Sequence, residues 1–309
     1  RFGYEHSIMT STFVYILYYI VFYNIAAYHW LIYPAAILYA LEKTFYWPAY
    51  HADFARFVNK SEDGREIGGI DSLVFVSNIL APLLAGFVIQ FFGFEALFTI
   101  VSVIFLLSNI PFLLKKEIFV PESFPYLQAF KNLLLPENRR LFFSYLGYGE
   151  ELIVLVVWPI FMFIVIGSML NIGSIVAFST LATVLATMFI ATISDRRGKQ
   201  GVLRFGSLFY TVVWFFRMIV QTAWGVFFIE ILSRFAKEAI SVPIVSLTYE
   251  RAQQRHVMRT VVFFEMSLVV GKLLALILCV LIIVLLPWSI VFPAMFALAA
   301  IMSLLYMLA

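Results

Sequence analysis

The chain is a succession of long apolar runs broken by short polar intervals, and the length of the runs decides what they are. A helix rises about 1.5 Å per residue, so the ~30 Å hydrocarbon core of a bilayer takes about 20 residues to cross. Runs of that order recur at about residues 8–28, 30–57, 67–92 and 94–114, then at about 141–166, 170–193, 202–221, 224–249, 257–286 and 288–309. Ten spanning helices are expected, four before the interval 115–140 and six after it. That interval carries Pro121, Pro125 and Pro136 among five cations, and residues 124–135 within it read as a short amphipathic piece. It is the expected linker between two halves, 1–114 and 141–309. The second run includes Glu42, Lys43 and Pro48, so it reads as a tilted or kinked span with a polar spot inside. The third and fourth runs are divided by a turn at Gly93 alone.

Composition agrees with the pattern: 63% hydrophobic and 13% charged residues describe an all-α polytopic membrane protein. The net charge of +3 matters only through where the cations lie. All but five of the 21 fall in alternate intervals, namely Arg1; Arg56, Lys60 and Arg65; Lys115, Lys116, Lys131, Arg139 and Arg140; Arg196, Arg197, Lys199 and Arg204; Arg251, Arg255 and Arg259. The turns on the other side hold none. Because Lys and Arg in short loops resist translocation, the basic face is expected to be cytoplasmic, with the protein a multi-pass component of the plasma (inner) membrane. No nucleic-acid partner is implied. Cys279 stands alone in an apolar run, and His6, His29, His51 and His256 are scattered without metal-ligand spacing, so no metal or other cofactor is expected. His51-Ala52-Asp53 has no nucleophile or second carboxylate beside it, and an enzyme is not expected. The N-terminus lacks the order of regions of a signal peptide, and no P-loop for ATP is present.

The two halves share short patterns. Arg1-Phe2-Gly3 returns as Arg204-Phe205-Gly206. The pair Glu42-Lys43 before Pro48 returns, reversed, as Lys237-Glu238 before Pro243. Arg65 precedes Asp71 by the same step as Arg259 precedes Glu265. Parallel repeats of this kind are a transporter pattern.

One interval is informative residue by residue. Asp195-Arg196-Arg197-Gly198-Lys199 lies in a basic loop, residues 194–206, where Gly198 and Gly201 are expected to break the helix. It resembles the loop signature of the major facilitator superfamily, G-x-x-x-D-R/K-x-G-R-R/K-R/K, in the weaker of its two copies; Ala191 replaces the leading Gly, and Gln200 and Gly201 the last two basic positions. A second resemblance runs through Gly68, Ser77, Ala81, Pro82, Ala85 and Gly86, similar to the antiporter motif G-x8-G-x3-G-P-x2-G-G of that superfamily. Gly68, Pro82 and Gly86 match it, and the other three are small substitutes for Gly. A generic seam of small residues for helix packing is an equally weighted reading. The resemblance implies a two-half helical bundle of twelve spans, of which these would be the third to the twelfth, and alternating access to a central site. On that expectation the 309-residue piece would not transport by itself.

Charges inside the runs are the candidate chemistry, since a charged group facing lipid at mid-bilayer costs at least ~2.5–3.5 kcal/mol. Glu230, Arg234, Lys237 and Glu238 project from one face of one helix. They read as a cavity lining or as an i,i+4 ion ladder. Glu265 and Lys272 share a face of the next span; Lys272 is the better cavity candidate, and Glu265 is divided between the cavity and a gate with Arg259. Glu150 and Glu151 are the acids from which proton coupling would take its titrating group, unless Glu151 is merely paired with a cation of another helix. Arg217, near the end of its span, is expected to snorkel. The substrate and proton cavity is thus assigned to Glu42, Lys43, Glu150, Glu151, Arg234, Lys237, Glu238 and Lys272, and the cytoplasmic gate to Arg65, Asp71, Asp195, Arg196, Gly198, Lys199, Arg259 and Glu265.

The function expected from the resemblance and these charges is secondary transport of a small organic solute by a monomer, driven by the proton gradient, with efflux by antiport preferred. Proton-coupled uptake of a sugar, amino acid or carboxylate is the alternative. The rival of another class is a non-transporting membrane enzyme or scaffold, which complete ion pairing without any polar cavity would favour.

Overall fold

The computed structural model describes residues 3–57, 64–114, 126–254 and 257–309, and every regular element among them is helical. The first group comprises α1 (Tyr4–Tyr23), α2 (Ile32–Phe57), α3 (Gly64–Ser108) and the short α4 (Ile110–Leu114). A surface helix, α5 (Tyr126–Leu133), leads to α6 (Arg139–Ile166). After it come α7 (Met169–Arg197), α8 (Lys199–Arg217), α9 (Ala223–Gln254), α10 (Val257–Leu285) and α11 (Trp288–Leu305), the last closing in a 3-10 turn, Tyr306–Leu308. Among the described residues, five stretches are long and apolar enough to cross a membrane: Tyr4–Ala26, Val76–Leu113, Arg139–Ile166, Val257–Leu285 and Trp288–Leu308. The protein is therefore an all-helical, multi-pass membrane protein. Helices α2, α7, α8 and α9 fall outside that set; α9 carries Glu230, Arg234, Lys237 and Glu238, and α2 carries Glu42 and Lys43 among tyrosines and prolines.

Two glycines set the turns. Gly93 has φ 78°, a conformation that costs a residue with a Cβ, and it divides α3 into two limbs. Gly198 has φ 88° and is the whole connection between α7 and α8. The expected 13-residue loop is thus almost entirely helical, and Gly201 lies within α8 instead of breaking it. A helix that runs on keeps its backbone hydrogen bonds, and one interior Gly costs only about 1 kcal/mol against Ala.

The buried apolar core is built from α6, α8, α9, α10 and α11, around Trp158, Trp214, Tyr210, Tyr306 and Phe296. Small residues bring these helices to backbone contact: a Cβ added at Gly149 would collide with the Gly271 carbonyl, and one at Gly206 would stand 2.7 Å from Ala239. Such approach is the usual basis of helix association in lipid. Helix α1 meets α2 at small residues, where Ser7 Oγ donates to the Phe45 carbonyl (2.7 Å) and Ser11 and Ala35 are buried, but it meets α3 through rings. Tyr15, Tyr19 and Phe105 stack between α1 and the second limb of α3, while Phe13, Tyr33, Ile37, Phe91 and Phe92 face outward. The first group packs on the second through α3 against α7 and through α2 against α9 and α10.

Polar side chains fasten the segment ahead of α6. Arg251 Nη2 donates to Asn138 Oδ1 (2.9 Å), Arg259 Nη2 to Asn132 Oδ1 (3.1 Å), and Asn138 Nδ2 to the Asn132 carbonyl (2.8 Å).

Candidate functional site

Three of the charges in the middle of α9 reach other helices. Glu230 turns to α8 and α6, Lys237 to α6, and Glu238 to α7, where Thr187 Oγ1 donates to Glu238 Oε2 (2.9 Å). Of the expected ladder, the Arg234–Glu230 step is present (Nε to Oε1, 2.9 Å).

The centre of the arrangement is Glu150. Its position follows from the sequence Gly147-Tyr148-Gly149, a 3-10 turn in which the two glycines let α6 lie against α10 and α11. Glu150 is fully buried. Its Oε1 accepts from the Lys237 ammonium and from Tyr306 Oη (3.2 Å), and its Oε2 from Tyr210 Oη (3.0 Å). Lys237 Nζ also donates to Tyr306 Oη (3.0 Å) and stands 5.0 Å from the Tyr148 ring centroid. A charge so enclosed is held by every group that touches it, as a buried ion must be if it is not to cost several kcal/mol.

Glu151 faces the more open side. One oxygen lies 3.3 Å from Lys237 Nζ and the other 3.0 Å from Lys272 Nζ, so a single carboxylate bridges α9 and α10. Its side chain is 25% exposed and that of Lys272 38%. Immediately afterwards Ile153–Val157 form a π-helical turn, a local widening that recurs at functional positions in helices.

A second cluster surrounds Arg217, and it corrects the expectation that this residue snorkels. Arg217 is 1% exposed. Its guanidinium carbon lies 4.2 Å from the ring centroids of both Trp158 and Trp214, and Nη2 donates to Ser233 Oγ (2.6 Å) and Glu230 Oε2 (3.2 Å). Trp158 Nε1 donates to the same Glu230 oxygen at 2.9 Å. A planar guanidinium gains from stacking between rings in a way an ammonium does not, which is why it turns inward here.

The gate residues divide. Arg259 is bound to Asn132, and Glu265 instead meets His51 of α2, Nε2 to Oε1 at 3.3 Å. His51 Nδ1 is 2.7 Å from Tyr249 Oη and its ring stacks on Trp47, so this triad joins α2 to α9 and α10. The spacing of six that repeats between Arg65–Asp71 and Arg259–Glu265 therefore does not mark a contact in the second copy. Lys199 pairs with Glu250 and donates to Ser246 Oγ at 2.5 Å, across α8 and α9. The side chains of Arg65, Asp71, Asp195 and Arg196, and the surroundings of Gly68, lie outside the described residues.

Glu42 and Lys43 stand apart, among α1, α2 and the second limb of α3, with Lys43 Nζ 3.0 Å from Glu42 Oε2. In α3, Ser77 and Ala81 are exposed, Pro82, Ala85 and Gly86 half-buried. Within this stretch the close approach falls at Pro82, whose carbonyl would be 3.5 Å from a Cβ added at Gly173 of α7; nothing lies within 4 Å of one added at Gly86. Among the described residues no group of His, Cys, Asp and Glu is placed to hold a metal.

Sequence reasoning missed Tyr148, Tyr210, Tyr306, Trp158 and His51. Aromatic residues in an apolar run carry no mark of which side they face. The one usable signal was Arg217 three residues after Trp214, a step that stacks the two on a helix.

No curated protein matches the chain. The family model described as Major Facilitator Superfamily matches residues 1–171, more than half of its length. With its all-helical, multi-pass fold and the ionised residues buried among its helices, the chain belongs to the major facilitator superfamily, and so to the secondary transporters.

Proposed function

We propose that this transporter moves a small organic solute by alternating access, coupled to protons, through ten spans in the described chain arranged as four and six about the linker 115–140. The basic intervals would lie in the cytoplasm and the protein in the plasma membrane as a monomer. The observation that carries the reading is Glu151, a partly exposed carboxylate held by Lys237 and Lys272 from two other helices. Protonation would release Lys272 and leave Lys237 to Glu150 alone, so the charge state of one group alters the link between α6 and α10. That is the linkage a proton-coupled carrier needs, because a ligand shifts an equilibrium only through a difference in free energy between states. The cavity beside Glu42 also weighs against a scaffold whose charges are only pairs.

Export is supported by the small-residue pattern around Pro82 in α3, at its contact with α7. Uptake of a carboxylate is supported by Lys272, which would be free to hold an anion once Glu151 is neutral. Either way Glu151→Gln should abolish substrate-dependent proton flux while leaving solute binding measurable. The protein, reconstituted in proteoliposomes with an internal pH-sensitive dye, is tested with lipophilic cations, sugars and carboxylates. Flux that survives Glu151→Gln would remove the coupling role, and the sign of the flux separates export from uptake.

A further inference from the structure

We propose that the cavity between α1, α2 and the second limb of α3 is a binding site for small organic ammonium ions, anchored by Glu42. It shares no residue with the Glu150 cluster. Its volume is about 210 Å³, and Thr12, Tyr15, Glu42, Lys43, Tyr46 and Phe105 line it. That is below the ~300–1,000 Å³ common for drug-sized ligands, and suits an amine with a single ring.

Glu42 is 5% exposed. A carboxylate offers about four lone-pair positions, yet the ion pair to Lys43 is all that meets this one among the described residues, and the contact is not aligned as a hydrogen bond. Residues adjacent in a helix do not face each other, so Lys43 reaches its neighbour only by curling back. A buried carboxylate this poorly supplied with partners is costly to keep, and a ligand cation would offset its charge.

Lys43 shows what the seat accepts. Its ammonium lies between the Glu42 carboxylate and two phenol faces, 4.9 Å from the Tyr39 centroid and 5.2 Å from that of Tyr15. Carboxylate plus aromatic faces is the chemistry that recognises an ammonium ion. Lys43 is one-third exposed, so its flexible stem can carry the charge out to solvent. A ligand ammonium taking its place leaves the seat neutral, with Tyr46 and Phe105 available to the ligand's ring. An anion there would meet Glu42 instead.

The test is direct binding of radiolabelled 2-phenylethylamine to the purified full-length protein in nanodiscs, with unlabelled benzyltrimethylammonium and phenylacetate as competitors and thermal unfolding as the check on folding. Saturable binding is expected, displaced by benzyltrimethylammonium and not by phenylacetate. Glu42→Gln should weaken it at least tenfold. Lys43→Met should tighten it several-fold, since it removes the resident competitor; a merely structural role for the pair would give both variants the same sign. Absence of saturable binding to the folded protein, indifference to Glu42→Gln, weakening by Lys43→Met, or equal displacement by phenylacetate would overturn the proposal.

Discussion

Glu150 and Glu42 are both hidden from solvent, one among the closely packed helices α6, α8, α9 and α11, the other among α1–α3, but the two regions hold them differently. Glu150 receives donors from Lys237, Tyr210 and Tyr306, which come from α9, α8 and the turn after α11. Glu42 has a lysine from its own helix and a cavity. Packing differs beside the two carboxylates as well: α6 and α10 touch backbone to backbone at Gly149 and Gly271, whereas α1 meets the second limb of α3 through tyrosine and phenylalanine rings. A buried charge is thus a fastening in one region and an incomplete site in the other.

The largest effect should come from cutting the fastening. Glu150→Ala takes away the buried partner of Lys237 and the acceptor of Tyr210, leaving Lys237 with Glu151 alone, and breaking a buried pair costs up to about 3–5 kcal/mol; Glu42→Ala should cost far less, because its partner already reaches water. Unfolding in detergent compares the two. Glu150→Gln/Lys237→Met, removing both charges, should regain most of the loss, and equal destabilisation by the two alanine variants would erase the distinction.

Packing gives the next contrast. Gly149→Ala forces a methyl group onto the Gly271 carbonyl and should destabilise by about 1–3 kcal/mol. Gly86→Ala in α3 meets open space and should be neutral or slightly stabilising, as replacing an interior helical Gly usually is. The same unfolding assay decides it, and a loss at Gly86 as large as at Gly149 would mean that the two regions are equally tight.

The smallest effect concerns their junction. His51→Phe keeps a ring on Trp47 but removes the bonds to Tyr249 and Glu265. A shift of about 1 kcal/mol in the balance between the accessible conformations is expected. Accessibility of single cysteines on α2 and α10 to a thiol reagent measures it, and unchanged labelling would show that the triad does not restrain α2.

Much of this was legible in the sequence. The helix positions follow from run length, Gly93 and Gly198 mark turns as glycines with positive φ do, and the cost of charge in lipid singled out Glu150, Glu151, Lys237 and Lys272, which the fold brings together. Partnership was not legible. Whether Glu265 answers to Arg259 or to His51 depends on where α2 passes α10, and no local period encodes that. Arg217 was misjudged because its place near a span end was weighed without the two tryptophans that flank it. Mean hydropathy also passes over α2 and α9, because it counts their polar residues without regard to where they point.

The π-helical turn in α6 has one more implication. Glu150 and Trp158 both reach α9, at Lys237 and Glu230, though eight residues of regular α-helix would rotate them about 80° apart. With one residue taken up by the wide turn at Ile153–Val157, the effective step is seven, about two full turns, and both side chains come to the same side. Helix α6 therefore contains one residue more than its contacts require, and loss of a single codon within that turn is the length change this helix is built to survive.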